Sequence, residues 1–335
     1  MTSTETRPRD GHEDEAPSRP ATTGWKKLAA RSWFGALMAA TLLWCLAGYV
    51  TGNLSLSFLA ANATIAGFLA VAGVAQMAVI ASGPGNFDLS LPYLITFGAY
   101  VMSAGFVGPG NIVGSLVLTL LVGVIAGSLN AALVIKLRIP AVIATLATGY
   151  IIYSLIVAVQ NAGFGRIGGL LEQIVRMRVA GVSGALLVSI STLILMAILF
   201  SRTVYGVQLH AMGQNGEAAR LAGIRRDRML AMTCIISGVL ATWLGALLAT
   251  YQGGVSSDLG RAYLLGSVAA VVVGGTRITG GVTSVMGTAL GALVLTLAMT
   301  DLILMKFSIG VQYVVQGLIV IATVCLSTVR KSTRA

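Results

Sequence analysis

Ten apolar runs, each close to the length a helix needs to cross a bilayer, recur along a chain of 335 residues, and that spacing leaves little else for the chain to be. A crossing takes about 20 mainly apolar residues, so ten of them consume about 200 and leave only short connections. In hydrocarbon every backbone N–H and C=O has to bond within the protein, which restricts such runs to helices. The runs fall at roughly 33–50, 58–81, 89–107, 111–135, 140–160, 183–201, 229–250, 263–275, 282–300 and 308–328. Composition agrees: the chain is 56% hydrophobic and 10% charged, where soluble domains carry about 25% charge. Its 41 glycines are about 12% of the residues against an average near 7%, as suits helices that approach through small faces. The expected fold is an all-α membrane protein of about ten transmembrane helices, with no large soluble domain.

Charge then orients the bundle. The net +11 would point to nucleic acid in a soluble protein, but membrane proteins keep Lys and Arg on the cytoplasmic side. With residues 1–32 placed in the cytoplasm, 17 of the 22 bases fall in inward segments. The outward segments hold only Arg166, Arg176, Arg178, Arg261 and Lys306. Ten crossings with cytoplasmic N- and C-termini satisfy this bias, whereas nine would put Arg330, Lys331 and Arg334 outside. No nucleic-acid partner is called for. Residues 1–32, polar and rich in both charges, read as a disordered cytoplasmic tail too long and acidic for the front of a signal peptide. Residues 33–329 form the transmembrane domain, with an inward loop at 202–228 and an outward one at 161–182, and 330–335 form a second cytoplasmic tail. Cys45, Cys234 and Cys325 lie in apolar runs and read as small buried hydrophobes.

Several chemistries are excluded. The only two histidines, His12 and His210, lie outside the spans, so no nucleophile at membrane depth has an imidazole base. Gly181-Val182-Ser183-Gly184 matches the GxSG string of rhomboid-type proteases, but a small-residue helix start explains it better. No GxxxxGK[ST] loop is present, so ATP chemistry has to come from another subunit. No catalytic, metal or cofactor-binding residue is assigned. The spans hold almost no ionisable groups: Asp88 and Asp301 fall at span ends, and Lys136 and Lys306 at boundaries. Ion-coupled carriers commonly place such groups in the membrane, so a secondary carrier or channel is the less favoured alternative. The in-span polar residues Asn62, Gln76, Asn130, Gln160, Gln312 and Gln316 read first as interhelical hydrogen bonders.

Two clusters break the helical pattern. Gly83-Pro84-Gly85-Asn86-Phe87-Asp88-Leu89-Ser90-Leu91-Pro92 reads as a tight turn with Asp88 capping the next helix, or as irregular backbone at an inner gate through Asn86, Asp88 and Ser90. Gly274-Gly275-Thr276-Arg277-Ile278-Thr279-Gly280-Gly281 reads as a compact hairpin, with gating as the minority reading. Within the inward loop, Gly213 to Ile224 reads as a short helix. Asn215 is its N-cap, Glu217 sits in the first turn, Ala218, Leu221 and Ala222 make a small apolar stripe, Arg220 lies off that stripe, and Gly223 terminates it. So short a helix is marginal alone and needs something to pack on.

The stretch Gly213 to Ile224 resembles the coupling segment GGNPEAARLAGI of the permease subunits of bacterial ribose/simple-sugar-type ABC importers, and Ile235-Ile236-Ser237-Gly238 continues the similarity. Ala269 to Thr276, Gly280-Gly281, Ser284 to Thr288 and Gly291-Ala292 are similar to the family's AAVVxGGTxxxGGxGSVxGTxxGA signature. Leu137-Arg138-Ile139-Pro140 with Ala144-Thr145-Leu146 is similar to LRIPxFIxTL, and Asp88-Leu89-Ser90 to part of GGIDLSVG. Gly216 stands where the family often has Pro, and Val282-Thr283 replace a basic-Gly pair. The resemblance implies an ABC importer permease fold in the bacterial cytoplasmic membrane. It also implies a second permease subunit (a copy or a paralogue), two ATPase subunits that bind the ATP, and an extracytoplasmic solute-binding protein. The solute is then a sugar, or another small polar molecule such as a nucleoside, an autoinducer-like sugar derivative or a branched-chain amino acid. ATPase closure would push on the coupling helix, with Leu221, Ala218 and Glu217 at the contact and Arg220, Arg225 and Arg226 at its rim.

Overall fold

The computed structural model describes residues 34–52, 55–104, 111–160, 167 and 169–332, with backbone alone at 320 and from 323 onward. The expected tail at 1–32 and Arg166 lie outside the described residues. The elements run α1 (Phe34–Thr51), α2 (Leu56–Ala81), α3 (Leu91–Ser103), α4 (Ile112–Ile135), α5 (Ala141–Val159), α6 (Leu170–Arg176), β1 (Arg178–Val179), β2 (Val182–Ser183), α7 (Gly184–Arg202), α8 (Val204–Gln214), α9 (Gly216–Leu221), α10 (Arg226–Gln252), α11 (Tyr263–Val273), α12 (Val285–Leu304) and α13 (Ile309–Ser332). The two strands are a single antiparallel pair in which Arg178 faces Ser183.

Seven of these helices, α1, α2, α4, α5, α7, α10 and α12, are long and apolar enough to cross a membrane. The other three expected crossings fall on α3, α11 and α13. With 13 and 11 residues, α3 and α11 reach only about 20 and 17 Å at 1.5 Å per residue, short of a hydrocarbon layer of about 30 Å. Each adjoins one of the two helix-breaking clusters, which is why it is short. The last helix runs on through Ser332, past the expected end near 328.

Short polar side chains start and satisfy the helices. Asn111 accepts from the Gly114 N–H at 3.0 Å, Ser284 from Gly287 at 3.1 Å and Ser183 from Leu186 at 3.3 Å. Ser183 also meets Thr64 at 2.8 Å, so the GxSG string is a helix cap tied to α2. Within spans, hydroxyls bond back to the preceding turn, as Thr250 does to the Ala246 carbonyl at 2.7 Å, which satisfies them without a partner helix.

α2 runs through the middle of the bundle, with Phe68, Met77 and Ile80 at most 2% exposed. α10 packs on α3 and α4, and α12 on α1, α2 and α11. The approach of α4 to α10 depends on glycine: a methyl group on Gly127 would lie 2.5 Å from the Cys234 carbonyl oxygen, and one on Gly238 would strike the Gly123 carbonyl. Large apolar side chains on the outer faces of α4 and α5, among them Val113, Ile125, Ile143 and Ile151, are exposed. Such a surface belongs against lipid, and the chain is a multi-pass membrane protein.

Candidate functional site

Three segments that are far apart in sequence meet at one end of α2. The first is the turn between α2 and α3. Gly83 and Gly85 take positive φ (151° and 77°), a conformation open to glycine, and so end α2 and redirect the chain. Asn86 donates to the Ser82 hydroxyl at 2.9 Å. Asp88, 3% exposed, is the hub of a buried polar cluster. Its Oδ1 accepts from the Ser90 N–H at 2.9 Å and the Ser90 hydroxyl at 2.5 Å, and its Oδ2 accepts from the Ser237 hydroxyl of α10 at 2.7 Å. Asn130 of α4 donates to Ser90 at 2.9 Å. Thr145 of α5 accepts from the Leu89 N–H at 3.0 Å. In the orientation that satisfies both of its amide atoms, Gln76 of α2 donates to the Asp88 carbonyl at 3.1 Å and accepts from its N–H at 3.2 Å. Four helices are thereby fastened to one non-helical turn.

The expected cap is therefore placed differently. Ser90 is the residue preceding α3, its side chain caps nothing, and Pro92 occupies the first turn. Asp88 instead closes an Asx-type turn onto Ser90. Of the in-span polar residues, Gln76 and Asn130 join this cluster and Asn62 accepts from Thr300 at 2.6 Å. Gln312 bonds locally to the Phe307 carbonyl at 3.2 Å, and Gln160 is exposed at the end of α5.

The second segment is the glycine turn after α11. Gly274 ends that helix, Gly275, Gly280 and Gly281 have φ of 83°, 87° and 73°, and Thr276 is buried with its N–H on the Val271 carbonyl at 3.1 Å. The Gly281 N–H donates to the Ala81 carbonyl at 3.0 Å, so this turn is bonded to the last residue of α2.

The third segment is the loop 202–228, which holds α8 and α9. The Gln214 amide donates to the Gly281 carbonyl at 3.1 Å. Gly213 lies so close that a Cβ there would strike the Ala81 carbonyl and the Gly281 nitrogen. His210 and Thr283 share a hydrogen bond at 2.7 Å, and half-burial lowers the His210 imidazole below its ordinary pKa. α9 leaves this junction and turns outward. Asn215 accepts from the Glu217 and Ala218 N–H groups, each at 3.1 Å, so the N-cap is made. Gly223, at φ 82°, closes the other end, with its N–H on the Arg220 carbonyl at 3.0 Å. Ala219 and, in part, Ile224 pack inward. Ala218, Leu221 and Ala222 face out, and Leu221 is 77% exposed. Glu217 and Arg220 form an exposed ion pair at 2.5 Å, which holds the Glu217 carboxyl below its usual pKa and raises that of the guanidinium. Arg225 and Arg226 lie beyond it, both exposed.

All the candidate residues thus fall on this junction, but in two states: the turns bond within the protein, with only the buried Asn130 Oδ1 and Thr276 hydroxyl lacking a partner among their described side chains, while α9 turns an apolar stripe to the outside. Sequence reasoning missed the helix at 204–214 and the contacts of Gly213, Gln214 and His210 with residues 281–283. Nothing local signals them, because they join positions about 70 residues apart. Among the described residues, no group of acids, histidines and cysteines is arranged to hold a metal.

A family described as "Branched-chain amino acid transport system / permease component" matches residues 57–324. The autoinducer 2 import system permease protein LsrC of Photorhabdus luminescens is 28% identical over 243 residues, 71% of this chain and 72% of that protein. LsrD of the same organism is 30% identical over 237 residues, covering 68% and 71%. LsrC of Enterobacter sp. (strain 638) is 30% identical over 244 residues, covering 72% and 71%. No solved structure matches.

Proposed function

The chain belongs to the branched-chain amino acid transport system / permease component family, and from that premise we propose how it works as the membrane-spanning subunit of an ABC importer. It forms the pathway for a sugar-like or similar small polar solute, the class to which the autoinducer 2 of its relatives points. It carries no ATPase site. Separate ATPase subunits supply the energy, a solute-binding protein delivers the cargo, and a second permease subunit completes the pathway. The chain lies in the bacterial cytoplasmic membrane with both termini inside. The short helices α3 and α11 complete their crossings through the non-helical backbone beside them, of which Asp88, Ser90, Gly274 and Thr276 are buried in protein.

One observation carries the mechanism: α9 exposes Leu221 while the residues just before it are bonded to the Gly281 turn, which is bonded to the end of α2. An ATPase subunit that grips α9 would pull on Gly213 and Gln214. The pull passes to Gly281 and Ala81, and α2 ends a few residues before the Asp88 cluster that fastens α3, α4, α5 and α10. A displacement of α9 therefore reaches four spans through short contacts, as a bistable helical bundle requires. The Leu221→Asp variant tests this. It should fold and insert normally, since the side chain is exposed, while binding-protein-stimulated ATP hydrolysis in the reconstituted complex falls at least about tenfold, the loss typical of a central interface anchor. Unchanged stimulation would remove the docking role.

A further inference from the structure

A groove opens between α8 and α10 at the point where α7 ends. Each helix gives it three residues at the same spacing: Val204, Tyr205 and Gln208 from α8, and Arg228, Met229 and Met232 from α10. Its volume is about 230 Å³, room for roughly eight waters at about 30 Å³ each and too little for a helix. Tyr205 and Met229 are buried and form the floor. The Tyr205 ring lies 6.1 Å from that of Phe200, and its hydroxyl shares a hydrogen bond with Thr233 at 2.9 Å, so α7 and α10 both hold the floor in place. Val204, 71% exposed, and Met232 make an open apolar edge, and Gln208 and Arg228 supply the polar groups. Among the described residues, neither Arg228 nor Arg202, two positions before Val204, has an ion-pair partner.

The groove lies at the edge of the hydrocarbon. α10 has 27 residues, about 40 Å at 1.5 Å per residue against a hydrocarbon layer of about 30 Å. Its first turn, with Arg228, therefore stands in the headgroup layer, and Met232 one turn deeper meets the acyl chains. α7 agrees: Leu195 and Ile198 are exposed on the face that ends in Arg202, an apolar stripe suited to lipid with a base at its rim. With the Glu217–Arg220 pair set aside, residues 202–228 carry Arg202, Arg225, Arg226 and Arg228 against Asp227 alone. A guanidinium meets a phosphate with two parallel N–H donors, and basic pockets between membrane helices hold anionic headgroups. We propose that this groove binds an anionic phospholipid, with the phosphate on Arg228, the glycerol oxygens at Gln208 and the top of an acyl chain along Val204 and Met232. The open edge continues the lipid-facing stripe of α7, which favours a lipid over a protein segment as the occupant. The site requires only a multi-pass membrane protein and is independent of how ATP is used.

Quenching by brominated lipid tests it. Val207, exposed and one turn beyond Val204, is replaced by Cys and labelled with bimane in a full-length chain whose native cysteines are changed to Ser. The chain, with the subunits it retains on purification, is reconstituted in phosphatidylcholine vesicles doped with brominated phosphatidylglycerol or brominated phosphatidylcholine. Half-quenching should need at least about fivefold less of the anionic lipid, the weight of one arginine at an anionic surface. Arg228→Gln, at an exposed side chain without an ion-pair partner, should abolish that preference. Arg138→Gln, which removes an exposed inward base outside the groove, should leave it. Equal quenching by the two lipids before any arginine is changed, a preference that survives Arg228→Gln, or an equal loss in Arg138→Gln would each overturn the site. Quenching by neither lipid would mean that protein covers the groove, an ATPase segment or a second copy, and would overturn it as well.

Discussion

The Asp88 turn and α9 are both short irregular pieces between long helices, yet they are built on opposite principles. Around Asp88 hydrogen bonds from five segments converge, and the hub residue is 3% exposed. α9 has capped ends and an ion pair, but Leu221 is 77% exposed and only Ala219 and Ile224 anchor it from below. A buried polar cluster is stable when complete and costly when one member is lost. An exposed apolar stripe on a six-residue helix gains nothing by itself and has meaning only with something to cover it. The first region fastens the bundle together, and on the proposed function the second is where force enters.

This contrast can be broken from either side. The largest effect is expected from Asp88→Ala, which strands the Ser90 N–H and the Ser90 and Ser237 hydroxyls in the interior at about 1–3 kcal/mol each. The purified variant should melt well below the wild type and accumulate poorly in membranes, whereas a wild-type melting curve would reduce Asp88 to a loop residue. An intermediate effect is expected at the link itself. Gly213→Ala drives a methyl group into the Ala81 carbonyl and Gly281 backbone, a strain of about 1–3 kcal/mol. Stimulated ATP hydrolysis should persist while uptake per ATP declines, because the motor still grips α9 but transmits poorly. Equal loss of both activities would place Gly213 in docking.

The smallest effect concerns pH at the same junction. The folded pKa of His210 is lowered by burial, so the unfolded chain binds the proton more readily. Stability from the neutral imidazole is therefore present above its unfolded pKa of about 6.5 and is lost as pH falls below it. Melting curves between about pH 7.5 and 5.5, bracketing that value, should show a modest decline that His210→Gln flattens. An unchanged slope in the variant would assign the decline elsewhere.

Much of this was legible in the sequence. Each of the ten apolar runs falls on a helix, and seven of those helices are long and apolar enough to cross a membrane, because hydropathy is a local property. The cap at Asn215 and the helix start at Gly181–Gly184 were equally readable, since a helix start is set by neighbours two or three residues away. The stripe of Ala218, Leu221 and Ala222 was readable too, though the residue that anchors α9 inward is Ala219 between them. The partners of Asp88 were not readable. Ser237 lies 149 positions along the chain, and no pattern short of the fold says which hydroxyl will face a given carboxylate. The meeting of Gly213 with Gly281 was hidden for the same reason.

The central claim is that α9 receives an ATPase subunit. A photoreactive benzophenone side chain in place of Leu221, irradiated in membranes that contain the complete complex, reads that contact directly. The expected result is an adduct between this chain and the nucleotide-binding subunit, and none from the same probe in place of Leu56, which is 74% exposed but at the far end of α2. Adducts with lipid alone at position 221, or equal capture from both positions, would contradict it.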